Sequence, residues 1–156
     1  MTLKERTITI SSLAAEAMKQ LAAQYVPNET GGILAGWAAD EGVIIAHAVG
    51  PGPRAKHGPH SFIRDGKYSQ DQLDTIYEQS SGQCDYVGEW HSHPVSSPPS
   101  PTDRRSMRDI SQDPKYQKGE PLLVLCVRNG RDSWLLRAFQ HVGEDLQELR
   151  IVVSAA

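Results

Sequence analysis

The strongest constraint on the fold is a pair of apolar segments that flank Asn129-Gly130. Residues 122–128 and 133–139 are rich in leucine, valine and aromatic side chains, a composition that favours β-strands. Asparagine and glycine both tolerate positive φ, which the tight turn of a hairpin requires. The sequence therefore predicts an antiparallel hairpin, and with it a β-sheet, in the last third of the chain.

Helices and further strands are predicted along the rest of the chain. One helix is expected to begin at an N-cap on Ser12 and to end before Pro27, a second to follow a capping box that starts at Ser69, and a third to begin near Thr102. Further strands are predicted at 7–10, 33–37, 43–49, 84–90 and 149–153. This interspersed order favours an α+β or mixed α/β sheet and disfavours a doubly wound parallel sheet.

Length and charge limit the class of protein. A chain of 156 residues has the size of one domain of about 150 residues, so residues 1–156 are expected to form a single domain. Sixteen basic and nineteen acidic residues give a net charge of −3, which disfavours nucleic acid as a partner. No apolar run approaches the roughly 20 residues that a membrane helix needs. The first residues lack the apolar core of an export signal, so we expect a cytoplasmic protein without a membrane partner.

Two histidines point to a metal site. His91 and His93 are two residues apart at the end of a predicted strand. Because side chains alternate between the faces of a strand, both imidazoles are expected on the same face. Two imidazoles in that arrangement can bind one metal ion, although an isolated His-x-His pair is a weak signal.

Two carboxylates complete the candidate site. Asp103 follows a proline- and serine-rich loop at the start of a predicted helix, where it can be the third ligand. Two nitrogens and one oxygen suit Zn²⁺, and three protein ligands leave the fourth position for water, as in a catalytic zinc site. Such a water needs a base to receive its proton, and Glu29 is the candidate.

Each of these residues also has a simpler interpretation. The histidines could stand at an exposed strand end without a metal, and Glu29 could be a surface charge. Asp103 could be an acidic residue favoured by the dipole of the helix that it starts. The metal site is the better interpretation because the residues occur together and in order.

The same three blocks resemble a known family. Glu29 followed by Gly-Gly-Ile-Leu, then His-Ser-His-Pro, then Pro-Ser-x-x-Asp is similar to the JAMM/MPN+ (JAB domain) zinc metalloproteases, in the stand-alone form of bacteria and archaea. Nine residues separate His93 from Asp103, one fewer than in the eukaryotic members. Ser100 keeps its offset from Asp103, so we interpret the difference as a shorter loop and not as a lost ligand.

The resemblance implies a fold and a set of residue roles. The fold would be cytidine-deaminase-like, a curved mixed β-sheet flanked by about three helices. One catalytic Zn²⁺ would be held by His91, His93 and Asp103. Glu29 would act as the general acid/base, and Ser100 would stabilise the oxyanion of the tetrahedral intermediate. As for Asp103, a simpler interpretation of Ser100 is a serine that precedes a helix.

The resemblance also implies a function and partners. The enzyme would be a zinc-dependent isopeptidase or protease that cleaves after the C-terminal glycine of a ubiquitin-like modifier, in deconjugation or in precursor processing. Its partners would be the modifier or its conjugate, with activating and conjugating enzymes of the same pathway, in some cases from an antiphage operon. One alternative is a hydrolase that processes adducts of sulfur-carrier proteins. Another is a non-catalytic MPN-type scaffold, which the intact set of ligands disfavours.

Overall fold

The computed structural model describes residues 6–116 and 120–155. Its main elements are strands β1 (Thr7–Ser11), β2 (Gly31–Ala39), β3 (Gly42–Ala48), β4 (Lys56–His57), β5 (Phe62–Ile63), β6 (Asp85–His93), β7 (Leu122–Arg128), β8 (Trp134–Val142) and β9 (Asp145–Ser154), and helices α1 (Ser12–Tyr25), α2 (Gly66–Gln79) and α3 (Pro101–Gln112). Within these two ranges, no helix has the length and apolar character that crossing a bilayer demands.

Seven strands form one mixed sheet in the order β1-β3-β2-β6-β7-β8-β9. β6 pairs with β7 in parallel, and β1 pairs in parallel with both β3 and β9, which closes the sheet on itself. The mixed sheet with three flanking helices confirms the predicted fold class. The closure was not predicted, because it joins residues 7–11 to residues 150–154, and no local pattern encodes so distant a pairing.

The predicted hairpin is present as β7 and β8, with Leu123 opposite Phe139. Gly130 adopts a φ of 90° in the connection, and the Asn129 N–H donates to the Ser133 carbonyl at 2.7 Å. The connection therefore needs the glycine for its left-handed backbone. The last strand is confirmed but begins at Asp145, earlier than expected.

Two helix starts differ from the prediction. Ser11, not Ser12, is the N-cap of α1, and its Oγ accepts from the Ala14 N–H. Asp65, not Ser69, is the N-cap of α2. In both cases the cap is the residue with extended backbone whose oxygen reaches the N–H three residues later, and Ser69 lies inside the helix, where its hydroxyl donates to the Asp65 carbonyl.

The helices cover opposite faces of the sheet. On one face α1 packs over a core that includes Ile8, Ile10, Met18, Leu34 and Trp90. On the other face α3 packs through Met107 over Leu123, Leu125 and Phe139, and α2 packs through Leu73 and Ile76 over Ile33, Val49 and Tyr86. In β6 the alternation places Trp90 on the α1 face, so Glu89, His91 and His93 lie on the face shared with α2 and α3.

Replacing Leu34 by alanine is expected to lower the free energy of unfolding by about 2–5 kcal/mol, because it removes a side chain with no exposed surface from the α1 core. The matched control is Leu135→Ala on the same sheet, where the side chain is 51% exposed and the change should stay within about 0.5 kcal/mol. Urea unfolding measures both. Equal losses would contradict the assignment of the core.

Candidate active site

The end of β6 brings the two histidines together, as the sequence predicts. The imidazole centroids of His91 and His93 are 5.1 Å apart, and His93 is buried. The strand is held in the middle of the sheet, between antiparallel β2 and parallel β7. Both rings therefore rest on a backbone that is hydrogen-bonded on two sides.

The first turn of α3 brings Asp103 to these rings. Its Oδ1 lies 2.8 Å from His91 Nε2, and its Oδ2 lies 3.3 Å from His93 Nε2. Ser100 is the N-cap of α3: its Oγ accepts from the Asp103 N–H, and Asp103 Oδ2 accepts from the Ser100 N–H at 2.7 Å. The capping box thus fixes the orientation of the Asp103 carboxylate. The simpler interpretations of Ser100 and Asp103 as helix-start residues are correct locally, and the same geometry places the Asp103 carboxylate beside both histidines.

Glu29 reaches the site from a short segment before β2. One ligand atom from each of Glu29, His91 and His93 lies within 4.8 Å of the others. After Thr30 come two glycines at a very close approach of backbones: a Cβ at Gly31 would lie 2.2 Å from the Trp90 carbonyl oxygen, and one at Gly32 would lie 1.9 Å from that of Val49. The glycines therefore let Glu29 enter beside β6.

One cavity of about 510 Å³ contains all five residues singled out in the sequence. The side chains of Glu29, His91, His93, Ser100 and Asp103 share it with an apolar lining of Phe62, Ile63, Met107, Ile110 and Leu123. The structure therefore gathers the five residues from three separate segments, the residues before β2, the end of β6 and the start of α3, into one place. The arrangement can bind a metal ion and act on a chain that lies along the apolar lining.

Burial and charge shift the pKa values of Asp103 and Glu29 in opposite directions. Burial opposes the ionised form of Asp103, but the close approach and charge of His91 and His93, together with the Ser100 N–H, hold the pKa of Asp103 well below its usual range. For Glu29, burial dominates over the nearby histidines and raises the pKa above its ordinary value. The surroundings therefore favour the ionised form of Asp103 and disfavour the ionised form of Glu29.

The histidine nitrogens fit a metal ion. His91 Nε2 is buried and has no hydrogen-bond partner within the described ranges, since its short approach to Asp103 does not have hydrogen-bond alignment. The Nδ1 of His93 lies 3.2 Å from the Ser97 carbonyl oxygen. Because a carbonyl only accepts, this contact places a proton on Nδ1 and leaves Nε2 free to bind a metal.

Sequence reasoning missed several supporting residues. Ser97 orients His93 from within the Pro/Ser loop, a contact that no local pattern predicts. Arg64 donates to Glu89 at 2.7 Å and compensates the charge of that carboxylate on the face of the histidines. The position of Glu89, two residues before His91, is a signal that could have identified a third polar residue on this face.

The chain matches the family described as prokaryotic homologs of the JAB domain, over residues 11–137. It belongs to this JAB family. The resemblance found in the sequence is thereby confirmed, and the family supports a hydrolase with a metal ion.

Curated relatives of this JAB domain are named either as a metalloprotease or as an isopeptidase. The "Probable metalloprotease y4qB" of Sinorhizobium fredii is 33% identical over 137 residues, which cover 86% of this chain and 83% of the relative. The "CD-NTase/cGAS isopeptidase" of Enterobacter hormaechei is 33% identical over 135 residues, covering 85% and 73%. The protein of the same name in Escherichia coli is 26% identical over 129 residues, covering 81% and 76%.

A solved structure has the fold of this JAB domain. The solution structure of protein DSY2949 from Desulfitobacterium hafniense superposes with a TM-score of 0.68 at 20% identity, covering 94% of this chain and 92% of the other. At this identity the likeness concerns the fold alone.

After removal of metal by a chelator, His93 is expected to titrate above the ordinary histidine pKa of about 6.5. Burial disfavours its charged form, but the hydrogen bonds with Asp103 and the Ser97 carbonyl raise the pKa. Asp103→Asn should lower the pKa of His93, since the carboxylate is lost and the burial remains. Histidine NMR resonances recorded against pH measure the change.

The matched control for that titration is Asp109→Asn on the exposed side of the same helix, which should leave the pKa of His93 unchanged. An equal pKa for His93 in the wild type and in Asp103→Asn would contradict the described contact.

Proposed function

We propose that this chain is a zinc-dependent isopeptidase or protease that cleaves after the C-terminal glycine of a ubiquitin-like modifier. The observation that carries the proposal is the convergence of two imidazoles and two unlike carboxylates in one open cavity. Relatives named metalloprotease and isopeptidase support the reaction class. The isopeptidase names also support a conjugated protein as the substrate.

His91, His93 and Asp103 are the proposed ligands. Glu29 lies close enough to compete for the third place. Asp103 is the better ligand because its pKa is lowered and its direction is fixed by the capping box. Zinc bound by these three residues would activate a water molecule and polarise the substrate carbonyl.

Glu29 is the proposed general base and acid. Its raised pKa suits a group that takes a proton from the attacking water and delivers it to the leaving amine. Within the described residues no hydrogen bond or ion pair holds the Glu29 carboxylate, which leaves both of its oxygens available to water and substrate.

Ser100 is the proposed donor to the oxyanion. Its Oγ already accepts from the Asp103 N–H, so the hydroxyl hydrogen remains free to donate. A donor aimed at the developing negative charge is worth more in the transition state than in the ground state. The same contact holds the hydroxyl in place between steps.

The shape of the cavity supports an extended substrate. Apolar side chains of β5, α3 and β7 form one part of the lining, and polar side chains, among them the five site residues, form much of the rest. A C-terminal glycine suits this geometry because the absence of a Cβ lets its carbonyl approach His91 and Glu29 closely. The modifier tail would lie extended in this groove, with the target lysine beyond the scissile bond. Activating and conjugating enzymes of the same pathway would supply the conjugate.

Zinc content measured by plasma mass spectrometry on untagged protein tests the ligand assignment. We expect one zinc per chain in the wild type and in Glu29→Gln, and little zinc in His91→Ala or Asp103→Asn, because only the latter two remove a ligand. His47→Ala, at an exposed position of β3, is the matched control and should keep its zinc.

Activity of the same proteins is measured on a peptide ending in Gly-Gly joined by an isopeptide bond to a lysine side chain. Glu29→Gln should lose turnover while retaining metal. Loss of zinc in Glu29→Gln with retention in Asp103→Asn would reverse the two roles. A wild type without zinc after reconstitution would refute the enzyme and favour a scaffold.

Ser100→Gly is expected to lower kcat by about 10²- to 10³-fold, the usual effect of removing an oxyanion donor. Glycine is chosen because it caps helices nearly as well as serine, with a loss of only a few tenths of a kcal/mol. Ser100→Thr keeps the hydroxyl and the cap and should retain most of kcat. Similar kcat values in the glycine variant and the wild type would show that Ser100 is only a helix cap.

A further inference from the structure

The β4–β5 hairpin holds the main chain of Glu29 from both sides of the residue. The Glu29 N–H donates to the Gly58 carbonyl at 2.8 Å. The Glu29 carbonyl oxygen lies 2.9 Å from Nδ1 of His57. Adjacent residues of the hairpin thus satisfy both backbone polar groups of Glu29, which lies outside regular secondary structure.

The ring of His57 is itself held in place. It stacks on Tyr25, at the end of α1, with centroids 4.0 Å apart and an interplanar angle of 10°. The ring of Phe62 in β5 is tilted against it, with the two ring centroids 5.3 Å apart. Because the Glu29 carbonyl can only accept, the contact requires a proton on His57 Nδ1. Stacking therefore fixes the plane of the ring, and the carbonyl fixes its tautomer.

Thr30, the residue after Glu29, is hydrogen-bonded to β6, on the side opposite the hairpin. The Thr30 N–H donates to Ser92 Oγ at 2.9 Å, and the Ser92 N–H donates to the Thr30 carbonyl at 2.8 Å. Ser92 lies between the two histidines on β6 and is fully buried. The main chain of Glu29 and Thr30 is thus hydrogen-bonded to β6 on one side and to the β4–β5 hairpin on the other.

We propose that His57 is a positioning residue for Glu29, and that its Nδ1–H bond to the Glu29 carbonyl aims the unbonded carboxylate at the cavity beside His91 and His93. The inference rests on the proposed role of Glu29 as general base. Rotation of this peptide would move the carboxylate, and displacement by about 1 Å can cost as much as a hundredfold in rate. His57 reaches no reacting atom and acts through Glu29.

Two substitutions separate the hydrogen bond from the packing. His57→Phe keeps a ring between Tyr25 and Phe62 but removes the donor. His57→Asn loses the ring but keeps an amide N–H near the position of Nδ1. We expect kcat on the isopeptide-linked Gly-Gly peptide to fall about ten- to a hundredfold in His57→Phe, with KM and zinc content unchanged. His57→Asn should retain most of the wild-type kcat.

If His57 served only in packing, kcat would be lower in His57→Asn than in His57→Phe, because asparagine removes the stacked ring and phenylalanine preserves it. Wild-type kcat in His57→Phe, or a lower kcat in His57→Asn than in His57→Phe, would overturn the proposal. Thermal unfolding of both variants is recorded alongside, so that a loss of stability is read separately from a loss of rate.

The tautomer of His57 gives a readout that needs no activity. Long-range ¹H–¹⁵N spectra of the wild type should show the proton on Nδ1, and a proton on Nε2 alone would overturn the contact. If the wild type retained zinc and this tautomer but cleaved no isopeptide bond, the proposed function would fail while the contact stood. If the wild type cleaved the peptide and His57→Phe were equally fast, only the positioning role would fail.

Discussion

The pairing of β6 with β2 and β7 is the constraint on which the site depends. Hydrogen bonds on both edges fix the pleat of the strand, so every second side chain points to the same face. Trp90 on the α1 face is almost wholly buried, and its indole N–H donates to the Val49 carbonyl. A slip by one residue would turn His91 and His93 into the α1 core and Trp90 toward the cavity. The apolar core therefore enforces the orientation of the histidines.

The start of α3 shows how one local motif serves two purposes. The capping box stabilises the first turn, and it also holds the Asp103 carboxylate against both imidazoles. Asp103 is buried, and burial of an ionised carboxylate is costly unless it has partners. The Ser100 N–H and the two histidines are those partners, so the cap and the candidate metal site stabilise each other.

Glu29 illustrates a different solution, in which the backbone and not the side chain is held. Among the described residues nothing is hydrogen-bonded to the carboxylate, while the main chain of Glu29 and Thr30 is fixed by the β4–β5 hairpin and by β6. Such an arrangement would suit the proposed role of Glu29, because no hydrogen bond from the described residues would have to break when the carboxylate takes up a proton. Burial then raises its pKa without removing its access to the cavity.

Local patterns were sufficient to predict the seven strands of the main sheet and the three helices, and to single out Glu29, His91, His93 and Asp103. They did not predict the short strands β4 and β5, and Ser100 was named only through the family resemblance. Periodicity reveals which side chains share a face, and the glycine, proline and capping residues mark where elements end. Such patterns left the helix caps uncertain by a few residues: Ser11 and Asp65, not Ser12 and Ser69, cap α1 and α2. Neighbouring serines and aspartates are chemically equivalent candidates, and only the backbone conformation distinguishes them.

By itself, then, the sequence determined the kinds of residue available for chemistry and the face of the strand that two of them occupy. Only the tertiary structure decided that β1 pairs with β9, that Asp103 reaches both histidines, and that His57 holds the carbonyl of Glu29. The physical reason is that each of these contacts joins segments far apart in the chain. Their formation depends on the packing of the whole sheet and its helices, which no window of neighbouring residues records.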